Sequence, residues 1–208
     1  MRHINHNCVQ LGINVAAEYL YLAQPNWRDI MPDQDPIKQL PDIFKGDLWH
    51  YTGVDSDVVC IAEQLADNKH NINVDWVCAC IAMEHTHTHV NSWFLSRGFG
   101  VGVITLEMLL NHIPNVNERG ISVLAMDIEG YEYEVLRSYN WSIKPKFIAV
   151  EAHTRDHYVS SDYDSCALEL VDCLESQGYE VYKQIPKVED ILAKHDDYHG
   201  ELQFILKD

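Results

Sequence analysis

The sequence predicts an α/β fold: an open, mostly parallel sheet with helices on both faces, closed by an antiparallel pair of strands. Three observations point there. Short runs rich in Val and Ile alternate with longer amphipathic segments, as buried parallel strands and their covering helices do. The 208 residues, 47% hydrophobic and 10% aromatic, are enough for one substantial core and fall short of two. Near the end, Tyr179 to Lys183 and Leu202 to Leu206 read as the closing antiparallel pair. One domain is expected over 1–208, with insertions at about 24–48 and 84–102.

The elements follow in order. Cys8 to Gly12 is the first strand, and Val15 to Leu22 the first helix. Pro25, Pro32, Pro36 and Pro41 then forbid a continuous helix and mark an irregular excursion. Trp49 to Val54 is a second strand ending at Asp55. Asp57 is placed to cap a helix running to about Lys69, with Val58, Ile61, Ala62 and Leu65 on one face. Val74 to Ile81 is a third strand. From Met83 to Gly102 the chain is polar, then glycine-rich, and reads as a loop or edge hairpin. Thr105 to His112 is a short helix ended by Pro114, Ser122 to Met126 a buried strand, and Tyr131 to Tyr139 a helix. Phe147 to Glu151 is the next strand, and Asp162 to Gln177 an amphipathic helix stopped by Gly178.

Charge narrows the function. Fifteen Lys and Arg against 32 Asp and Glu leave a formal charge of −17, whereas nucleic acid or an anionic membrane surface calls for clustered cations. Neither is expected as a partner. No apolar run approaches the ~20 residues of a membrane span, and no signal-peptide core follows Met1, so a cytoplasmic location is expected. The six cysteines, at 8, 60, 78, 80, 166 and 173, contain no CxxC pair and are expected as reduced core residues.

The stretch Ser122-Val-Leu-Ala-Met-Asp127-Ile-Glu129-Gly130-Tyr-Glu132-Tyr-Glu-Val-Leu136 resembles the signature of the FkbM family of S-adenosylmethionine-dependent methyltransferases, a strand of the form LLKIDIEG followed by a helix containing EVL. Three further stretches are similar to that family's motifs, in the family's order. They are Val103 to Leu110 (TLDELL), Pro145 to His153 ("P.fIvvEvH") and Gln177 to Tyr182 (GYEVY). Val9-Gln10-Leu11-Gly12-Ile13-Asn14 is similar to the cofactor loop VQIGANDG, with Val15 and Ala16 where the family has Asp and Gly. Gly53-Val54-Asp55 resembles the second strand's end, whose carboxylate accepts hydrogen bonds from the cofactor's ribose. The resemblance implies a three-layer, Rossmann-like class I methyltransferase sheet. It also implies S-adenosyl-L-methionine as cofactor.

In an open parallel sheet the ligand lies in the crevice outside the carboxyl ends of the strands. Gly12, Asn14, Asp55 and Asp127 stand at predicted strand ends, and Cys80 and Ile81 end the third strand, where they would flank the adenine. Asp55 has a second reading as a helix-capping acid, and Asp127 as a carboxylate holding the Glu129-Gly130 turn. Methyl transfer from a sulfonium is an in-line displacement, which chiefly requires holding the acceptor close and aligned. A carboxylate or imidazole can take the acceptor's proton. The catalytic candidates are Asp127, Glu129, Glu151 and His153; Glu151 and His153, two apart on a strand, share a face.

No metal is assigned. His85, His87 and His89 read as solvated loop residues, since three alternate positions of one strand rarely converge on an ion unaided. The tryptophans at 27, 49, 76, 93 and 141 read as core or lid aromatics. The expected activity is methylation of a hydroxyl on a small molecule or glycan, the oxygen preference coming from the resemblance alone. The alternative is a binding module with a decayed cofactor loop, motivated by Val15 and Ala16. A dinucleotide enzyme is disfavoured because no GxGxxG follows the first strand.

Overall fold

The computed structural model describes residues 4–13, 18–24, 40–41, 44, 48–69, 71, 73–82, 102–128, 131–153, 166–185 and 199–207. Eight strands form one sheet: β1 (Ile4–Leu11), β2 (Leu48–Asp55), β3 (Val74–Ile81), β4 (Gly102–Ile104), β5 (Val123–Met126), β6 (Phe147–His153), β7 (Tyr179–Ile185) and β8 (His199–Leu206). Their order across the sheet is β4-β3-β2-β1-β5-β6-β8-β7. All pairings from β4 to β6 are parallel, and β8 lies antiparallel between β6 and β7. The expected closing pair is therefore present.

Side-chain alternation sorts the sheet into two faces. Val9, Leu11, Val54, Leu124, Met126, Ile148 and Val150 pack with four helices: α2 (Leu106–His112), α3 (Val116–Arg119), α4 (Glu132–Ser138) and α5 (Cys166–Ser176). Cys8, Tyr51, Val123, Ala125, Phe147 and Ala149 pack on the other face with a 3-10 helix, Glu18–Ala23, and with α1 (Val58–Asp67). Helices on both faces make three layers, each burying its own apolar stripe.

Local signals place most elements. Asp57 caps α1, its Oδ1 accepting from the Val59 amide at 2.7 Å, and Thr105 caps α2, its Oγ1 accepting from Met108 at 3.1 Å. Gly178 takes φ +93° in the turn that ends α5 and starts β7, a conformation glycine adopts without steric cost. Lys207 N–H then bonds the Gly178 carbonyl at 3.0 Å, tying the last strand to that turn.

Several expectations need correction. The first strand starts at Ile4 rather than Cys8, because its polar opening residues find hydrogen-bond partners. His6 Nδ1 lies 2.7 Å from Ser122 Oγ, and Asn7 Nδ2 donates to the Gly120 carbonyl at 2.8 Å. Both partners precede β5, so pairing along the sheet turns a polar stretch into core strand. The segment read as a first helix holds a 3-10 turn over Glu18–Ala23, not an α-helix. β6 runs two residues beyond Glu151, to His153, and β8 starts three residues before Leu202. β4 and α3 were not foreseen; three and four residues are too few to show a period. Most of the two insertions, including His85, His87, His89 and Trp93, lies outside the described residues. Cys8, Cys60, Cys78, Cys80 and Cys173 are free thiols, as expected. No helix among the described residues is long and apolar enough to cross a membrane.

Candidate functional site

From β1 the chain steps outward to β2, β3 and β4 on one side, and from β5 to β6 on the other. The strand order thus reverses between β1 and β5, and the carboxyl ends of that pair form the crevice where such sheets bind ligands. Gly12 follows β1 and Asp127 follows β5, so both stand at the reversal. Gly12 has φ +74°, and a Cβ there would overlap the Asp127 carbonyl oxygen. Only glycine lets the two strand ends approach this closely.

Backbone bonds knit the crevice floor. Gly12 N–H bonds the Val54 carbonyl at 2.9 Å, and Asp127 N–H bonds the Leu11 carbonyl at 3.0 Å. The Asp55 carboxylate, at the end of β2, is held from two sides. Its Oδ2 accepts from Ile13 N–H at 3.0 Å and its Oδ1 from Asp57 N–H at 2.7 Å. These amides use two of the roughly four acceptor positions of a carboxylate and hold it at the rim of the β1–β2 turn. The sequence left two roles open for Asp55, ribose acceptor or helix-capping acid. The cap of α1 is Asp57, and Asp55 braces the turn.

Two residues support this floor although sequence reasoning passed them over. Gln10, 4% exposed in β1, accepts with Oε1 from Tyr51 Oη at 2.8 Å and from Tyr19 N–H at 3.2 Å. It thereby pins the 3-10 helix, where the chain returns from the cofactor loop, to the sheet. Its one visible signal was a carboxamide inside an apolar strand. Glu132, 4% exposed at the start of α4, accepts with Oε1 from Ile128 N–H at 2.7 Å. Glu132 thus holds the Ile128 amide beside the crevice, and Asp127 is exposed there.

The remaining candidates divide. Cys80 is half-buried at the end of β3, and Ile81 is packed into the core, where it forms part of a wall beneath the crevice. Burial, then the Asp55 carboxylate, raises the Cys80 thiol pKa; burial first, then Asp55, Asp57 and Glu63, pushes Cys60 up to about 12. These thiols are protonated at neutral pH and are poor nucleophiles. Asn14 and Glu129 lie outside the described residues, as do Val15 and Ala16. Glu151 is half-buried near the end of β6, and His153 is that strand's last residue. Met126 pairs with Val150, which sets Asp127 level with Glu151 across the next strand. Among residues whose side chains are described, no three His, Cys, Asp or Glu gather as metal ligands would.

A donor with a sulfonium and ribose hydroxyls suits this floor: a glycine turn without a side chain, a braced carboxylate at one strand end and an exposed carboxylate at another. Asp55 and Asp127 are the two carboxylates that would meet such a donor. No curated protein matches the chain in sequence. Among solved structures, fibrillarin from Aeropyrum pernix, crystallised with natively bound S-adenosyl-L-methionine, superposes with TM-score 0.52 at 12% identity, over 97% of this chain and 67% of that one. Methanococcus jannaschii fibrillarin, a pre-rRNA processing protein, gives TM-score 0.51 at 12% identity, over 99% and 69%. At such identity the likeness is one of fold. The Methyltransferase FkbM domain family matches residues 4–181, most of the chain, and the chain therefore belongs to the FkbM family of S-adenosylmethionine-dependent methyltransferases.

Proposed function

We propose that the chain methylates a hydroxyl group of a small molecule or glycan, using S-adenosylmethionine. The observation that carries this reading is the meeting of Gly12, Asp55 and Asp127 at the sheet's reversal point, in a chain of this family. Bound there, S-adenosylmethionine supplies a methyl carbon on a positively charged sulfur, open to in-line attack.

The protein's residues have separate tasks. Asp55, already braced by two amides, accepts from the ribose hydroxyls with little reorganisation, since its rotamer is set before binding. Asp127 places negative charge beside a cationic ligand. Glu151 and His153, on one face of β6 and level with Asp127, would orient the acceptor and take its proton, the new O–C bond forming as the methyl–sulfur bond breaks. The acceptor is not a nucleic acid on this reading, because a net charge of −17 opposes a phosphate backbone. Acceptor choice falls to the insertions at about 24–48 and 84–102.

The rival reading is a binding module of the same fold, favoured by Val15 and Ala16 in place of the family's Asp and Gly. Transfer of a labelled methyl group separates the two. Incubated with labelled S-adenosylmethionine and a panel of hydroxyl, amine and carboxylate acceptors, the protein is expected to label hydroxyl compounds. Labelling confined to amines or carboxylates would overturn the oxygen preference. Binding of cofactor with no transfer to any acceptor would favour the binding module.

A further inference from the structure

Toward the amino ends of β1, β2 and β3, away from the cofactor crevice, the sheet buries a polar set. Asn7 is the register partner of His50, Val9 of Thr52, and Thr52 of Asp75. Register partners in a parallel pair share a face, as do residues two apart on one strand. Asn7, His50, Thr52 and Asp75 therefore lie on the face that carries Val9 and Val54 and is covered by α2 to α5. Asn7, His50 and Thr52 are buried, His50 at 7% exposure.

His50 Nε2 stands 3.2 Å from Asp75 Oδ2, whose side chain is 55% exposed. The neutral ring thus carries its proton on Nε2 and turns a bare Nδ1 inward. That Nδ1, Asn7 Oδ1 and Thr52 Oγ1 are buried without a hydrogen-bond partner. Counting donors shows what the set lacks. Nδ1 and Asn7 Oδ1 only accept, the Thr52 hydroxyl has one proton to give, and Asn7 Nδ2 is engaged by the Gly120 carbonyl at 2.8 Å. The neutral set is short of a donor. A second proton on the ring makes Nδ1 a donor among these acceptors and sets a full charge opposite Asp75, but it also places a cation where little water reaches.

We propose that His50, set among Asn7, Thr52 and Asp75, is an acid-release latch on the amino ends of β1, β2 and β3. At neutral pH the uncharged ring donates to Asp75 and the latch is closed. In mild acid the ring takes a proton from solvent, and the fold is weakened there. The charged groups that bear on the ring, among the described residues, are Asp75 from β3 and Arg119 from the end of α3; β1 presents the uncharged Asn7. Burial lowers the His50 pKa most, Asp75 acts to raise it and Arg119 to lower it, and the result lies below the ordinary 6.5. As pH falls the unfolded chain therefore takes up this proton first. Stability is full above pH 6.5 and is lost as pH falls through the lower value of the folded chain.

The test follows the His50 ring resonance of the full chain by nuclear magnetic resonance from about pH 7.5 to about pH 5, with urea unfolding of the wild type and His50→Gln over the same range. Glutamine keeps an amide donor for Asp75 and does not titrate. The expected results are a His50 midpoint below 6.5 and, relative to His50→Gln, a severalfold loss of the wild type's folded-to-unfolded ratio across the range. Asp75→Asn, at a half-exposed position, removes the charge that supports the imidazolium and should move the midpoint lower still. If His50→Gln fails to fold, the wild-type titration and Asp75→Asn decide. A midpoint at or above 6.5, a midpoint unmoved or raised by Asp75→Asn, or parallel pH profiles for the wild type and a folded His50→Gln would overturn the latch.

Discussion

The carboxyl end of the parallel strands has two halves that set acidic side chains in different surroundings. Around β1, β2 and β5, carboxylates meet backbone amides: Asp55 accepts from Ile13 and Asp57, and Glu132 accepts from Ile128. Around β6 and β8, the register sets Glu151 against Glu201 and His153 against His199. In the first half the chain's own amides hold the acids, so that half is shaped before a ligand arrives. In the second, the register sets like groups opposite each other at strand ends, and a side-chain amide, that of Gln203, bonds Glu201. A preorganised half suits one constant cofactor.

The largest effect is expected at Gly12. Gly12→Ala forces a left-handed φ on alanine and drives its Cβ into the Asp127 carbonyl. A cost of about 3 kcal/mol or more is expected, a fall in Tm of about 6–12 °C, with cofactor binding lost. Thermal unfolding and titration would check both, and an unchanged Tm would show that the β1–β5 contact is not tight. Asp127→Ala comes next. The side chain is exposed, so Tm should hold within about 2 °C while methyl transfer falls about a hundredfold or more. Full activity in the variant would remove Asp127 from the site.

Glu132→Ala tests support rather than chemistry. Leaving the Ile128 amide without its buried acceptor is expected to cost about 1–3 kcal/mol, read from denaturant unfolding. A neutral result would return the turn-holding role to another group. The smallest effect is alkaline. Burial, helped at Cys60, Cys78 and Cys80 by nearby carboxylates, holds Cys8, Cys60, Cys78 and Cys80 above the ordinary thiol value of 9.0. Above pH 9 the unfolded chain loses these protons while the folded chain keeps them, so stability is full below pH 9 and falls as pH rises toward about 12. Unfolding followed from pH 8 to 10.5 should show this decline, and thiol reagents at pH 8 should react slowly with the folded protein.

The two halves also differ in how far the sequence disclosed them. β3 has the predicted bounds, Val74–Ile81, because an apolar run between turn signals needs no distant partner to be recognised. Gly12, Asp55 and Asp127 were readable as strand-end residues, and motif similarity gave them roles. Gln10 and Glu132 were not, since their work appears only once Tyr19, Tyr51 and Ile128 are in place. The polar start of β1 was hidden for the same reason, its partners lying more than 100 residues away. The Glu151–Glu201 pairing was least visible, because the register between strands separated by a long connection leaves no trace in local periodicity.

Calorimetric titration with S-adenosylhomocysteine asks whether the β1–β2–β5 half is a preformed cofactor floor. The wild-type chain should bind one equivalent, and Asp55→Asn, which removes the charge but retains an acceptor oxygen, should weaken binding about tenfold or more. No binding at millimolar ligand, or equal binding by the folded variant, would contradict it.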